Sequence, residues 1–369
     1  MKPEIIESAQ ALEHLCDELS QQEFIAVDTE FARETTYYPH LGLVQLASNG
    51  RIACVDPLAF DARPQLTALM QNRSVTKIFH ACLQDLEVLE LTLGVLPCPL
   101  FDTQLAHALM NEDHQISYAR LVTAELDIHL PKTETRTNWL KRPLSPAQLE
   151  YAADDVRYLL DIQRKQQAEL QELDRDAWLQ DECTKLCSRS FVNQVDYTEI
   201  WTRVKGKERL RPHELVVLQE AAIWREQQAI NNDRPRRRIL KDDLMIEIAV
   251  RQPNNSTELA RIGNINRILE PAAIDSLAEA INSAHDKPES AWPSNRRRQL
   301  SEGQNKALTA VLAHIKSTAN RLGISQGMLC NRKNAEKLVL GNRDLPVLSG
   351  WRLEYIGSDL LQLVDQTSN

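Results

Sequence analysis

Phe24-Ile25-Ala26-Val27-Asp28-Thr29-Glu30-Phe31 is the stretch that decides the fold. Four apolar residues in a row, bounded by polar positions, read as a buried strand. Side chains two apart on a strand share a face, so Asp28 and Glu30 at its end point the same way. Two adjacent anions repel each other. Solvent or a cation must compensate them, and the hard divalent ions Mg²⁺ and Mn²⁺ suit oxygen ligands. Taken by itself, Asp-x-Glu is also what an exposed strand end looks like. Just downstream, residues 43–47 and 52–55 flank Ser48-Asn49-Gly50-Arg51, whose Asn-Gly marks a hairpin, so three adjacent strands are expected.

Residues 75–79 read as a further strand, and apolar spacing predicts helices over 83–93, 103–110 and 117–126. Ser145-Pro146 starts another helix, whose pattern runs through Leu149, Ala152, Val156, Leu159 and Leu160. A hairpin followed by alternating strand and helix indicates an α/β domain with a mixed sheet, ending near residue 200. Two further acidic positions stand on these helices. Asp85 opens a helix directly after a strand, where the helix dipole alone favours an acid. In Glu150-Tyr151-Ala152-Ala153-Asp154-Asp155, Tyr151 and Asp155 share a helix face, while Asp154 is turned about 100° away from Asp155. Tyr151 is equally readable as a core-edge aromatic with its hydroxyl in water.

The whole chain of 369 residues, with 43% hydrophobic and 26% charged residues, 11 Gly and 16 Pro, is no collagenous, low-complexity or wholly disordered polymer. Its length predicts two or three domains. The formal net charge of −9 hides a split: −15 over residues 1–200 and +6 over 201–369. Such a split suggests that one part gathers acids and the other meets a polyanion. Seven scattered cysteines make no disulfide scaffold and fit a reducing cytoplasm. Cys183 and Cys187 lie four apart, but a zinc site needs about four ligands and no second ligand pair accompanies them. No secretory leader pattern and no apolar run of about 18 residues is present, so neither secretion nor membrane insertion is expected.

Beyond Trp201 the sequence turns helical with basic interruptions, and two segments look like copies. Residues 212–228 form an amphipathic helix followed by Arg234-Pro235-Arg236-Arg237-Arg238 and Ile239-Leu240; residues 302–317 form another, followed by Met328-Leu329. At an offset of 89, Ile239-Leu240 aligns with Met328-Leu329 and Glu247 with Glu336, which suggests a duplicated module. Residues 288–298, ending in Arg296-Arg297-Arg298, read as a linker between the copies.

As an ordered set, Asp-x-Glu, a later Asp and Tyr-x-x-x-Asp resemble the three motifs of the DEDD exonuclease superfamily, and the tyrosine assigns the DEDDy branch. The resemblance extends to Leu43-Val44-Gln45-Leu46, Phe101-Asp102-Thr103, Thr137-Asn138-Trp139 and Arg142-Pro143-Leu144, which look like the bacterial ribonuclease D family. That resemblance implies a ribonuclease H-like mixed-sheet exonuclease domain over 1–205, followed by two small all-α HRDC domains over 206–289 and 290–369. It also implies that Asp28, Glu30, Asp85 and Asp155 bind two divalent cations, Mg²⁺ or Mn²⁺, and that 5′ nucleoside monophosphates leave a 3′ end one at a time. Tyr151, with a free pKa near 10, is a poor base at neutral pH and is expected to orient the attacking water.

On the substrate side, Lys132, Arg136, Lys141 and Arg142 with Trp139 either line the path of a single strand or are solvated charges beside a core tryptophan. Phe31 either stacks on the terminal base, as the family suggests, or belongs to the core. His80 reads as a helix-entry or core residue in preference to a substrate contact. The arginine clusters suit phosphate contact. The expected partner is RNA, with transfer RNA precursors implied by the family and no protein partner; the expected compartment is the cytoplasm. Two rival readings are a proofreading or repair exonuclease on DNA and a non-catalytic RNA binder on an inactive nuclease fold. All four acids and Tyr151 remain, which argues against the second. No Gly-x-x-x-x-Gly-Lys-Ser/Thr loop is present, which disfavours a helicase.

Overall fold

The computed structural model describes residues 2–131, 137–192, 195–294 and 300–367. By its contacts the chain divides into two units: Met1–Phe31, Leu41–Val192 and Leu300–Asn369 form one, and Ala32–His40 with Asn193–Gln299 form the other.

The first unit is built on a six-stranded sheet of β1 (Glu4–Ile6), β2 (Phe24–Ala32), β3 (His40–Ser48), β4 (Arg51–Val55), β5 (Thr76–Phe79) and β6 (Leu100–Asp102), in the order β1-β4-β3-β2-β5-β6. β3 and β4 pair antiparallel through the Asn49-Gly50 turn, with Ser48 opposite Arg51 and Gly50 at φ +87°. β2 and β5 run parallel with Ala26 opposite Ile78, and β5 runs parallel to β6. The sheet is therefore mixed, and the strand carrying Asp28 and Glu30 lies at its centre. β1 and β6 escape sequence reading because three residues carry no periodicity. Helices α1 (Ala9–Leu19), α2 (Arg63–Gln71), α3 (Leu83–Leu93), α4 (Thr103–Ala108), α5 (Tyr118–Leu126), α6 (Pro146–Arg157), α7 (Leu159–Glu172) and α8 (Asp176–Ser188) accompany it. Ile25, Val27, Val44, Leu46, Ile78 and Phe79 are almost wholly buried in its core.

The helix expected from Pro146 through Leu160 is broken at Tyr158, whose φ of −110° and ψ of −2° end α6. The cause lies in α5. The Tyr118 hydroxyl donates to the Asp154 carbonyl at 2.9 Å and accepts from the Tyr158 amide at 3.4 Å. Those two backbone groups would otherwise bond each other as one i→i+4 helix pair, and the inserted hydroxyl opens it.

Residues 300–367 continue as α14 (Glu302–Leu322), α15 (Gln326–Leu329), α16 (Arg332–Val339), α17 (Gly350–Arg352) and α18 (Ser358–Thr367), within the same unit as the sheet. They dock on α8. Trp351 stacks on Trp178 with ring centroids 4.2 Å apart and planes 6° from parallel, and Arg352 bonds Glu182 at 2.5 Å and the Met328 carbonyl at 2.6 Å. Arg175 ties Leu109 to Leu322 through two carbonyl bonds of 2.6 Å.

The second unit holds α9 (Pro212–Asn231), α10 (Arg236–Ile239), α11 (Asp242–Arg251), α12 (Ser256–Arg261) and α13 (Pro271–His285) around Leu215, Leu218, Trp224, Met245, Ile248, Leu277 and Ile281. The segment 32–40, which leaves β2, is built into this unit. Asp233 accepts the amides of Tyr37 (3.0 Å) and Tyr38 (2.9 Å) and bonds His40 Nε2 (2.8 Å). Tyr37 Oη donates to the buried Glu226 at 2.5 Å, under the Arg236 guanidinium. Among the described residues, every regular element beyond Trp201 is helical, and no helix is long and apolar enough to cross a membrane.

The two helical sets repeat at an offset of 90 residues, one more than the sequence alignment used. α9, α10 and α11 begin at 212, 236 and 242; α14, α15 and α16 begin at 302, 326 and 332. Buried Met245, Ile248 and Ala249 correspond to buried Ala335, Leu338 and Val339, and Leu218 to Leu308. Side-chain identity misled the alignment by one position, because burial on a helix is set by which face turns inward and tolerates changes of residue.

Candidate active site

Asp28 and Glu30 protrude from one face of β2, as strand alternation requires, and α6 brings Asp155 to them. Carboxylate oxygens of these three residues all lie within 4.8 Å of one another. Asp85 reaches the same neighbourhood from the first turn of α3. Its Oδ1 accepts a 2.5 Å hydrogen bond from Thr29 Oγ1, the side chain between the two strand acids. Thr29 thus aims the fourth acid, a role hidden in sequence because a threonine in a strand is ordinary.

Crowding shows in the protonation of the group. Burial, then the charges of Asp85, Asp155 and Glu30, push Asp28 well above the usual carboxylate range. Glu30 is pushed up to about 8 by burial and by Asp155 and Asp85. Asp155 rises to about 7 through burial and Asp154, and Asp85 to about 7 through burial, moderated by the Thr29 bond. Among the described residues no lysine or arginine forms a salt bridge with any of the four. Convergent hard anionic oxygens are the donor set that a hard divalent cation requires.

Tyr151 stands one helical turn before Asp155. Burial and the charges of Asp155, Glu30 and Asp28 raise its phenol above its ordinary value, so it stays protonated and offers a hydrogen-bond donor beside the acids. Its ring leans on Trp139 at 6.1 Å. Trp139 itself is buried and presses on β3 at Gly42, where a Cβ would come within 2.7 Å of the Trp139 carbonyl. Glycine at that position lets the 139–144 segment lie against the strand. Asp154 faces away and pairs with Arg157 at 2.7 Å.

The remaining sequence candidates divide. Arg142, expected on the path of a single strand, has its guanidinium occupied inside the protein: two bonds of 2.5 and 2.7 Å to the buried Asp56, and others to the Gly42 and Trp139 carbonyls. Trp139 is core, so the expected base stacking lacks an open face. Phe31 packs partly buried against the main core. His80 is a helix-entry residue held by Thr103 Oγ1 at 3.0 Å and the Ile116 carbonyl at 3.1 Å, and burial lowers its pKa. Lys141 is exposed. Lys132, Arg136 and Arg296–Arg298 lie outside the described residues. Of the other arginine cluster, Arg236 is bound to Glu226, while Arg234, Arg237 and Arg238 are exposed.

Asp102 is a positioning residue that periodicity could not show. Its Oδ1 accepts the amides of Gln104 and Leu105, capping α4, and also that of Ala81; its Oδ2 accepts the Cys82 amide at 2.9 Å. One buried carboxylate thereby fixes the turn, with Ala81 at φ +58°, that launches α3 and its Asp85.

Residues 3–171 match the 3'-5' exonuclease family model, and residues 214–275 match the HRDC domain model. The chain is 37% identical to ribonuclease D of Pseudomonas paraeruginosa, covering 98% of both, and 34% identical to ribonuclease D of Bartonella henselae, covering 94% of this chain and 86% of that one. This chain belongs to the ribonuclease D family. The crystal structure of Escherichia coli RNase D, described as an exoribonuclease involved in structured RNA processing, superposes over 99% of both chains with a TM-score of 0.84 at 30% identity. The ribonuclease D assignment makes the protein a 3′-5′ exoribonuclease, a hydrolase of phosphodiester bonds. The mixed α/β exonuclease domain and the HRDC domain that follows it are as the motifs implied; one HRDC domain is matched. A ribonuclease D depends on metal, and an acidic cluster that could hold one, Asp28, Glu30 and Asp155, is present here.

Proposed function

We propose that this protein trims the 3′ ends of structured RNA, transfer RNA precursors among them, and releases 5′ nucleoside monophosphates by in-line hydrolysis. The observation that carries this reading is the convergence of three carboxylates within 4.8 Å, with Asp85 beside them. Two divalent cations, Mg²⁺ or Mn²⁺, would there lower the pKa of the attacking water and stabilise the leaving oxygen. Asp28, on the central strand and pressed by the charges of Asp85, Asp155 and Glu30, is the ligand we assign as shared. Glu30, Asp155 and Asp85 would supply the remaining ligands. Tyr151 donates a hydrogen bond that orients the water; its raised pKa makes it no base at neutral pH.

The domain reading places the exonuclease at 1–205, an HRDC domain at 206–289 and a second HRDC-like module at 290–369. The shared element order at an offset of 90 supports the last of these. Exposed Arg234, Arg237 and Arg238 suit contact with RNA phosphates, so the helical part would grip a folded body while the acidic site takes the single-stranded end. A cytoplasmic enzyme fits this substrate.

The test is a timed digestion of a 3′-extended transfer RNA and its matched DNA oligonucleotide in Mg²⁺, Mn²⁺ or EDTA. Stepwise shortening of the RNA in metal, with none in EDTA, is expected. Internal cleavage, or equal digestion of DNA, overturns the reading.

A further inference from the structure

Away from the acids, on the first unit, a surface cavity of about 520 Å³ is lined by Gln71, Arg73, Glu90, Cys98, Cys187 and Ser190, among others. Two of its walls are thiols. Cys98 precedes β6, and Cys187 sits in the last turn of α8, the helix that packs against that strand. The Cys187 thiol donates to the carbonyl of Pro97, the residue before Cys98, at 3.6 Å, and the neighbouring Cys98 side chain helps burial to hold its pKa up. Both residues are half-buried, and both line the same cavity. Among the seven cysteines, Cys16, Cys54, Cys82, Cys183 and Cys330 are by contrast buried.

The surroundings of the pair are cationic. Arg73 donates from Nη1 to the Cys98 sulfur at 3.2 Å. Lys77, fully buried in β5, donates from Nζ to the Cys98 carbonyl at 3.0 Å and to the Asn72 carbonyl at 2.6 Å. A lysine beneath a sheet is costly to bury and has no role in the acidic site. Burial pushes it down to about 8, and the two nearby thiols push it back up. Thiol–disulfide exchange proceeds through a thiolate, and Arg73 and Lys77 stand where that negative charge develops.

We propose that Cys98 and Cys187 form a reversible redox-active dithiol, oxidised to an intramolecular disulfide by a small disulfide of the glutathione class entering the cavity. The steps balance without a further reactant. The Cys98 sulfur attacks one sulfur of oxidised glutathione, a mixed disulfide forms, and one glutathione leaves as a thiol. The Cys187 sulfur then attacks Cys98, the protein disulfide forms, and the second glutathione leaves. Two protein thiols are oxidised, one glutathione disulfide is reduced, and the two thiol protons end on the two glutathiones. The ring so closed runs from residue 98 to residue 187 and contains Tyr151 and Asp155. The bond would therefore tie the segment bearing Tyr151 and Asp155 to the sheet edge.

The purified full chain is incubated with oxidised glutathione, then denatured, and its free thiols are titrated and its peptides mapped by mass spectrometry. Thiols are expected to fall from seven to five, with a single Cys98–Cys187 linkage that dithiothreitol reverses. Cys187→Ser should instead accumulate a stable glutathione adduct on Cys98, because the resolving thiol is gone. Arg73→Ala should keep the linkage but form it several-fold more slowly. The proposal is overturned if wild type keeps all its thiols, if it accumulates the adduct without the linkage, or if another cysteine pair links first.

Discussion

Replacing Asp155 with asparagine should abolish activity and, without divalent metal, make the protein more stable. Asp155 is pushed from its ordinary 3.8 up to about 7 by burial and Asp154, beside Asp28 and Glu30. Each tenfold change in proton affinity is worth about 1.4 kcal/mol, so holding this carboxylate charged at pH 8 costs the folded state about 4 kcal/mol. Its partial solvent exposure halves that to about 2 kcal/mol. Asparagine keeps the shape and cannot ionise, which should raise the melting temperature of the nuclease part by roughly 4–8 °C in EDTA. The sign follows from linkage. A folded pKa above the unfolded one means the native state holds the extra proton, so stability falls as pH rises from about 4 to 7. The gap between variant and wild type should therefore narrow below pH 7 and close near pH 4. Saturating Mg²⁺ reverses the order, since a ligand at about 100 times its Kd stabilises wild type by about 2.7 kcal/mol and the variant by less. The assay is thermal melting by circular dichroism across pH, in EDTA and in Mg²⁺, beside digestion of a 3′-extended RNA. A variant that melts at or below wild type in EDTA at pH 8, or that digests RNA at the wild-type rate, refutes the reasoning.

Three other positions are testable in the same way. Tyr118→Phe removes the hydroxyl between Asp154 and Tyr158; α6 should close toward α7, and the Mg²⁺ needed for half-maximal activity should rise several-fold with little change in melting temperature. Arg142→Ala strands the buried Asp56, which burial raises but the Arg142 bonds hold below the usual carboxylate range. Loss of about 3 kcal/mol is expected near neutral pH by denaturant titration, shrinking in acid as Asp56 takes a proton. Asp233→Ala frees the 32–40 segment, so hydrogen exchange at the Tyr37 and Tyr38 amides should accelerate at least tenfold while the α9 core stays protected.

Much of the site was legible because carboxylates at strand spacing, at a helix start and one helical turn from a tyrosine are local patterns. Alternation alone puts Asp28 and Glu30 on one face, and helical geometry alone separates Asp155 from Asp154. What the residues could not tell was which polar groups serve the site and which serve the fold. Arg142 and Trp139 read either as a strand-binding surface or as charges beside a core tryptophan, and the chain turns them inward, one to neutralise Asp56 and the other to cover Gly42 and support Tyr151. Asp102 and Thr29 had no role assigned to them in the sequence, yet they set the turn before α3 and the aim of Asp85.

The sequence by itself determined the mixed sheet, the order of the acids along the chain and the helical character beyond Trp201, since each depends on neighbours within one element. Tertiary structure decided the rest. The helix break at Tyr158 comes from a hydroxyl 40 residues away in α5, and the true repeat offset of 90 comes from which helix faces are buried. The raised pKa values of the acids exist only when β2, α3 and α6 meet. Local patterning is written in side-chain spacing, whereas burial, pairing and electrostatic crowding depend on what the rest of the chain brings alongside.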